Sequence, residues 1–153
     1  MKISIEFDTT LSENEIIIRC ATLNEEIQKL QSAITDITLG ARKFICYQKE
    51  KEFYLPLDEI LFFETESGQI RAHTKMEVYQ TKLKLYELEE LLPGEFMRVS
   101  KSTILNTNHI YSITKNLASS SVVEFSGTHK QVYVSRYYYK PLKFKLEEKR
   151  SLP

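Results

Sequence analysis

The pattern of hydrophobic and polar residues along the chain changes near residue 41. From Arg42 onward, short apolar runs are separated by polar turns. This is the pattern of antiparallel sheets rather than of helices or of strand-helix-strand units. It predicts nine strands, near residues 43–48, 51–56, 60–66, 69–74, 76–80, 96–99, 109–114, 120–125 and 130–134.

Two helices interrupt this series of strands. Leu85, Leu88 and Leu92 recur at helical spacing before Pro93-Gly94, which predicts a short helix over Lys82–Leu92. Ser135 is a plausible N-cap for a second helix over Arg136–Phe144. Pro141 would kink or shorten that helix.

The first forty residues carry a pattern of their own. Alternating residues predict one strand over Lys2–Phe7 and a second over Glu15–Cys20. Thr22-Leu-Asn-Glu25 has capping-box spacing and opens an amphipathic helix that Gly40 ends. We therefore expect a strand-strand-helix addition, which must pack on the rest of the chain or on a partner because it cannot form much of a core alone.

The segment Phe96–Asn106 holds the most informative local pattern. Two apolar, strand-like arms flank the turn Ser100-Lys101-Ser102. A lysine between serines places one cation and two hydroxyls in a small volume, which suits phosphate oxygens and the acceptor-rich edge of guanine. No base, nucleophile or metal ligand lies near it in sequence, so the turn favours recognition over catalysis. Asn106 ends the second arm and is expected to close a turn by bonding to backbone.

Charge is segregated along a chain whose net charge is zero. Residues 1–40 carry three basic and seven acidic side chains, residues 41–95 carry eight and eleven, and residues 96–153 carry ten and three. The basic excess therefore coincides with the Ser-Lys-Ser turn. A neutral total can hide a basic face of this kind, so nucleic acid is not excluded as a partner.

The cysteines and the amino terminus indicate a cytoplasmic protein. Cys20 and Cys46 lie in apolar runs without CxxC spacing, which favours reduced thiols over a bridge. The first residues alternate instead of running apolar as a signal peptide would, and no stretch has the ~18–20 apolar residues that a membrane span needs.

An enzyme is not expected. His73, His109 and His129 are scattered singly, no acidic residue or cysteine stands at metal-ligand spacing, and no phosphate-binding loop is present. We expect no catalytic residue, metal, cofactor or small-molecule substrate. His73 follows the loop at residues 65–69 and is a candidate to lie near a nucleic acid.

Four blocks in a fixed order give the chain a family resemblance. It resembles the LytTR-type DNA-binding domain of bacterial transcription regulators over roughly Arg42 to Leu146. The blocks are Leu-Phe-Phe-Glu64, Leu85-Tyr-Glu-Leu-Glu-Glu-Leu-Leu-Pro93, Phe96-Met-Arg-Val-Ser-Lys-Ser102 and Val134-Ser-Arg-Tyr137.

The resemblance implies a mainly β fold with minor α structure. Elongated antiparallel sheets would enclose a short helix between them in a DNA-binding domain over residues 41–147. The strand-strand-helix addition over residues 1–40 would serve regulation or dimerisation.

The resemblance also implies that three loops meet DNA. Lys101 would contact a base, Ser100 and Ser102 would hold phosphates, and Gln69 would bond adenine from a close turn that Gly68 permits. The resemblance assigns a contact with DNA to Arg136 of the fourth block with more weight than to Tyr137. Many members of the family have a basic residue at the position where this chain has Tyr137. The complete candidate set is Lys101, Ser100, Ser102, Arg136, Tyr137, Gln69, Ser67, Arg98 and Lys140.

The function implied is sequence-specific recognition of double-stranded DNA by a transcription regulator. Loops would enter the major groove, and a homodimer would occupy repeated half-sites. Because about forty residues precede the domain, no phosphorylatable receiver is expected, and an inhibitory membrane protein is a candidate source of the signal. The alternative is a protein-interaction module on the same β fold, which the neutral total, Tyr137 and the acidic residues Glu64 and Glu66 would permit.

Overall fold

The computed structural model describes residues 1–40 and 43–149. Within them, three α-helices and ten strands follow the order α1, β1 to β5, α2, β6 to β10, α3. The helices are α1 (Glu25–Gly40), α2 (Leu85–Leu91) and α3 (Arg136–Lys149). The strands are β1 (Lys43–Gln48), β2 (Lys51–Pro56), β3 (Phe62–Glu66), β4 (Gln69–His73), β5 (Val78–Thr81), β6 (Phe96–Ser100), β7 (Thr103–Asn106), β8 (Ile110–Thr114), β9 (Ser121–Phe125) and β10 (Gln131–Val134).

The strands form two antiparallel sheets. Seven strands pair in the order β2-β1-β5-β4-β3-β7-β6, and three pair in the order β10-β9-β8. Strand β3 lies inside the larger sheet, where Phe63 faces Ala72 of β4 and Ile104 of β7. The mainly β fold class with minor α structure is thereby confirmed.

Two hydrophobic cores lie on opposite faces of the larger sheet. Phe63 and Ile104 belong to the first core, together with Leu85 and Leu88 of α2. Their neighbours Phe62 and Leu105 point the other way into a second core that the three-stranded sheet and α3 complete. Helix α2 therefore packs on the face away from the three-stranded sheet instead of between the sheets.

The order of strands after residue 42 agrees with the sequence pattern. All nine predicted strands are present, and β7 is the second arm of the Ser-Lys-Ser turn. Helix α2 begins three residues later than predicted, because Lys84 is its N-cap. Helix α3 runs past the predicted Phe144 and contains Pro141 in its interior, so the proline does not end the helix.

The amino-terminal prediction is wrong in two respects. Neither Lys2–Phe7 nor Glu15–Cys20 forms a strand, since neither segment has a strand beside it to complete its hydrogen bonds. Helix α1 is capped by Asn24, whose Oδ1 accepts a hydrogen bond from the amide of Ile27 at 3.0 Å, and not by Thr22. The helix is described as far as Gly40, and its predicted end there stays a prediction because the next two residues lie outside the described residues. The proposed domain boundary adjoins residues 41 and 42, which lie outside the described residues.

Asn106 closes the end of β7. The side chain is 1% exposed, and its Nδ2 donates to the carbonyl oxygen of Ile60 at 3.1 Å while its Oδ1 accepts from the amide of Asn108 at 3.0 Å. The predicted backbone-bonding role is confirmed. In the described parts of the chain, no helix has the length and apolar character needed to cross a membrane.

His73 is half-buried at the end of β4 that lies away from the Ser67–Gly68 turn. Its ring stacks on Phe62 with centroids 4.3 Å apart, and its position next to DNA stays a prediction that this packing does not favour. Burial, and then the nearby charges of Lys130 and Arg71, lower the pKa of His73 from 6.5 to about 4. The imidazole is therefore neutral in the folded protein at neutral pH.

The folded state should lose stability as His73 becomes protonated. Because its native pKa is below its unfolded value, the unfolded chain takes up the proton first, between pH 6.5 and about 4. The free energy of unfolding of the wild type should therefore fall more steeply over that range than that of His73→Phe, by at most about 1.4 kcal/mol per pH unit. Urea titrations at several pH values measure the difference, and parallel curves would contradict it.

Candidate nucleic-acid interface

The Ser-Lys-Ser turn joins β6 to β7 as the sequence predicts. Ser100 pairs with Thr103, and Lys101 and Ser102 form the exposed turn between them. The amide of Ser102 donates to Oγ of Ser100 at 3.2 Å, and the hydroxyl oxygens of Ser100 and Ser102 lie 3.3 Å apart. The serines thus close the turn while the side chain of Lys101 remains exposed to a ligand.

Arg98 lies behind this turn. Its Nε donates to the carbonyl oxygen of Ser100 at 2.8 Å, and its Nη2 donates to the carbonyl oxygen of Lys101. Its Nη1 lies 3.2 Å from Oε1 of Glu89 on α2. These charge-assisted bonds join the turn to the helix. Arg98 holds the turn in place, and a direct contact between Arg98 and DNA stays a prediction.

The loop between β3 and β4 is a tight two-residue turn. Glu66 pairs with Gln69, and the intervening Ser67 and Gly68 have φ angles of 52° and 77°. Two positive φ angles are typical of a type I′ turn, whose twist matches that of the flanking strands. The close turn predicted at Gly68 is confirmed, and it leaves both Ser67 and Gln69 exposed at its end.

Backbone hydrogen bonds bring the three predicted loops to β6 and its turn. The amide of Thr65, next to the Ser67–Gly68 turn, donates to the carbonyl oxygen of Ser102 at 2.8 Å. The amide of Ser135, at the start of α3, donates to the carbonyl oxygen of Val99 at 2.9 Å. Residues separated by up to 70 positions along the chain therefore sit at one end of the molecule.

Arg136, Tyr137 and Lys140 occupy the exposed side of the first turns of α3. Tyr138 and Tyr139 pack against the second core, as expected for at least one member of the tyrosine run. Tyr137 is 80% exposed, and its ring meets that of Tyr138 edge to face with centroids 4.9 Å apart. An aromatic ring and two cations are thus presented beside the Ser-Lys-Ser turn.

The acidic residues of β3 are partly neutralised by their neighbours. Oε2 of Glu66 lies 3.2 Å from Nε of Arg71 on β4. Glu64 faces Arg71 in the strand register, and burial, followed by the charge of Glu66, raises the pKa of Glu64. The ion pair with Arg71 reduces the repulsion that Glu66 would exert on phosphates.

The sheet also places two lysines at this end that the sequence did not single out. Thr81, the last residue of β5, pairs with Ile70, so Lys82 and Lys84 follow beside the Ser67–Gly68 turn. They line an open groove of about 620 Å³ together with Gln69. The pairing of β4 with β5 places these two lysines beside the turn, and this pairing cannot be inferred from the order of residues along the chain.

Comparison with known proteins identifies the domain that carries these loops. The family model for the LytTr DNA-binding domain matches residues 50–147, which include β2 to β10 and most of α3. The chain belongs to the LytTR family. This family of DNA-binding transcription regulators is not a class of enzymes.

Individual relatives extend the LytTR comparison beyond the domain. HTH-type transcriptional regulators from Staphylococcus aureus strains NCTC 8325 and bovine RF122 are 26% identical over 146 residues and 27% identical over 148 residues. Each alignment spans 95% of this chain and 98% of the relative. In the described residues of this chain, strands separate the three α-helices, so no two α-helices follow one another as in a helix-turn-helix.

A solved LytTR structure shares the fold. The LytTr DNA-binding domain of a methyl-accepting/DNA response regulator from Bacillus cereus superposes with a TM-score of 0.64 at 23% identity. The match covers 98% of that domain but 70% of this chain. This LytTR protein is therefore longer than the solved domain.

Replacing Arg98 should loosen the Ser-Lys-Ser turn of this LytTR domain. Arg98→Ala removes the donors to the carbonyl oxygens of Ser100 and Lys101, so amide exchange at Ser102 should accelerate. Loss of these charge-assisted bonds should lower the free energy of unfolding by about 1–3 kcal/mol. Hydrogen exchange followed by NMR measures the first effect, and denaturant unfolding measures the second.

Lys101→Ala is the matched control, because its side chain is exposed at the same turn. It should leave the exchange of Ser102 unchanged. Equal exchange in Arg98→Ala and the wild type would contradict the positioning role of Arg98.

Proposed function

We propose that the protein is a sequence-specific regulator that reads the major groove of double-stranded DNA with its three loops. The observation that carries this proposal is the pair of backbone bonds, from Thr65 to Ser102 and from Ser135 to Val99, that hold the loops at one end. Loops fixed in this way can enter one groove together without a recognition helix. The site residues and their roles are part of the proposal.

Lys101 is the proposed base-contacting residue of the middle loop. Its ammonium can donate to O6 and N7 of guanine, while Ser100 and Ser102 donate to flanking phosphates. The side chain of Lys101 is exposed, and Arg98 holds the turn beneath it in place. Binding of DNA would therefore cost little conformational entropy in this turn. Arg98 thus acts in this proposal chiefly by presenting Lys101.

Gln69 is proposed to read a base from the Ser67–Gly68 turn, with Ser67 on the adjacent phosphate. In the free protein, Oε1 of Gln69 accepts a hydrogen bond from Nε2 of Gln80 at 2.8 Å. In bidentate pairing with adenine, Oε1 would accept from N6 of the base and Nε2 would donate to N7, and the second lone pair of Oε1 can keep the bond from Gln80. Lys82 and Lys84 would contact phosphates beside this loop.

Helix α3 is proposed to supply the third set of contacts. Arg136 and Tyr137 would meet the groove edge, and Lys140 would follow the phosphate backbone. These residues belong to residues 96–153, where ten basic side chains outnumber three acidic ones. Such an excess supports a salt-dependent electrostatic contribution to binding.

The same proposal makes predictions about the pairing of two copies on DNA, the cellular location of the protein and the control of its activity. Two copies would bind half-sites about one helical turn apart, roughly 34–36 Å, or a multiple of that distance. We place the protein in the cytoplasm, without an enzymatic activity, and expect a homodimer on DNA. An inhibitory membrane protein that requires residues 1–40 would be recovered by pull-down from membranes, and recovery of none would count against that partner.

A protein-interaction module is the second candidate function. The observations that favour it are the 80% exposed ring of Tyr137 and the two carboxylates of Glu64 and Glu66 on β3. Binding of such a module to a protein partner would not need the steep salt dependence of a DNA complex.

Selection from a random duplex library tests the function. A repeated motif with turn-matched spacing should be enriched and should bind far better than a scrambled duplex in anisotropy titrations. Affinity should fall steeply between two salt concentrations, because several phosphates are neutralised. No enrichment, with weak binding to both duplexes, would overturn the proposal in favour of the interaction module.

The same titrations separate base contacts from phosphate contacts. Lys101→Ala should weaken binding to the selected duplex by about 1–3 kcal/mol and relax specificity, because a base contact is lost. Lys140→Ala should weaken binding to all sequences alike and reduce the salt dependence. Equal losses on selected and scrambled DNA for Lys101→Ala would contradict a base contact by Lys101.

A further inference from the structure

Residues 1–20, here called the amino-terminal arm, are extended and expose their apolar side chains. Ile3 is 86% exposed, Ile5 is 78% exposed and Phe7 is 95% exposed. The arm reverses direction at Asp8, whose carbonyl oxygen accepts from the amide of Leu11 at 3.4 Å. No residue of the arm belongs to a strand or helix. The single chain therefore leaves both the backbone groups and the apolar face of the arm without protein cover.

The apolar surface of the arm is large enough for a specific interface. Full burial of one large aliphatic or aromatic side chain removes on the order of 100 Å² of apolar surface from water. The arm exposes seven such side chains by 46% to 95%, so it can bury on the order of 500 Å² of apolar side-chain surface. Stable protein interfaces bury about 800 Å² on each partner. The seven are Met1, Ile3, Ile5, Phe7, Leu11, Ile16 and Ile17.

Residues 2–7 are self-complementary when two copies pair antiparallel. In the register with Ser4 opposite Ser4 of a second copy, Ile3 lies opposite Ile5, and Lys2 lies opposite Glu6. Both the apolar contact and the ion pair occur twice because the pair is symmetric. Cross-strand pairs of this kind are the unit of sheet stabilisation.

Residues 15–20 have the same property. With Ile17 opposite Ile17 of a second copy, Ile16 lies opposite Ile18 and Glu15 lies opposite Arg19. Two segments from each of two chains supply two antiparallel ribbons of two strands each. A two-stranded ribbon alone is marginal in water, so the dimer requires that the apolar faces of the two ribbons pack on each other.

In the hairpin registers close to the one that the Asp8–Leu11 turn sets, pairing within one chain joins no opposite charges. The hairpin register that sets Ile3 opposite Ile18 also sets Glu6 opposite Glu15, which is repulsive. Shifting that register by two residues in either direction brings no opposite charges together. Antiparallel pairing with a second copy therefore gives the arm opposite-charge pairs that these hairpin registers within one chain do not give.

We propose that the amino-terminal arm is a homodimerisation element, in which residues 2–7 and 15–20 pair antiparallel with the same residues of a second copy. The role of this dimer, which is to hold two DNA-binding domains together, rests on the proposed function. The pairing itself is measured without DNA, so either claim can fail alone.

A cysteine at the symmetry centre tests the register directly. Residues opposite each other in an antiparallel pair have Cα atoms about 4.5–5.5 Å apart, which is within disulfide range. In a Cys20→Ser background, Ser4→Cys should form a covalent dimer on mild oxidation. Ser12→Cys, in the exposed segment between the two strands, is the matched control and should cross-link far less. Equal cross-linking of both variants, or none at Ser4→Cys, would overturn the proposal.

A charge exchange tests the partner. Lys2→Glu alone and Glu6→Lys alone each set like charges opposite each other, so each should raise the dimer dissociation constant several-fold to about thirtyfold. The double variant restores the ion pair and should return the constant to near the wild-type value. Sedimentation velocity of the full chain without DNA gives these constants.

Three results of the charge exchange would contradict the proposal. One is a wild-type protein that stays monomeric at high micromolar concentration. Another is a dimer that neither single variant weakens, which would locate the interface elsewhere. The third is a double variant no better than the single ones, which would indicate another partner for the arm, such as a membrane protein.

Discussion

The fold depends on a strand that is buried on both of its faces. Ile60, Leu61, Phe62 and Phe63 run consecutively into β3 and are each at most 2% exposed. Because successive side chains of a strand point to opposite faces, Phe62 and Phe63 require apolar cover on both sides. Helix α2 and the β1-β2 hairpin cover one face, while the three-stranded sheet and α3 cover the other.

This arrangement also decides where a ligand can bind. The fully buried part of β3 ends before Glu64, and from there on the strand is no longer covered on both faces. The loops that follow are attached through the backbone atoms of Thr65, Ser102, Ser135 and Val99. Attachment through backbone leaves the loop side chains available for contacts with a ligand.

Strands could be predicted from the sequence where local pattern and final packing agree. The nine short apolar runs after residue 42 correspond to strands because each has a neighbour in a sheet. The amino-terminal arm has the same alternation but lacks a neighbouring strand within the chain, and alternation alone does not supply one. The cap of α1 was predicted at Thr22, but Asn24 caps the helix. Both residue types can cap a helix, and the choice between them depends on the path of the chain.

The candidate site was predictable in its parts but not in its connections. The resemblance implied three loops, and the Ser67–Gly68 turn could be inferred from a glycine between strands. The bonds from Arg98 to its own turn could not be foreseen, because an arginine two residues before a Ser-Lys-Ser turn looks equally suited to a phosphate. Lys82 and Lys84 were missed because only the register of β4 and β5 brings them to the site.

Hydrogen exchange of the full chain with and without its selected duplex tests the central claim, that one end of the sheet forms the DNA interface. The account predicts protection of amides at residues 66–69, 100–102 and 135–140 on binding DNA. The exposed loop at residues 115–119, between β8 and β9, should exchange at the same rate in both states. Protection of that loop or of residues 1–40, with the three loops unchanged, would contradict the account.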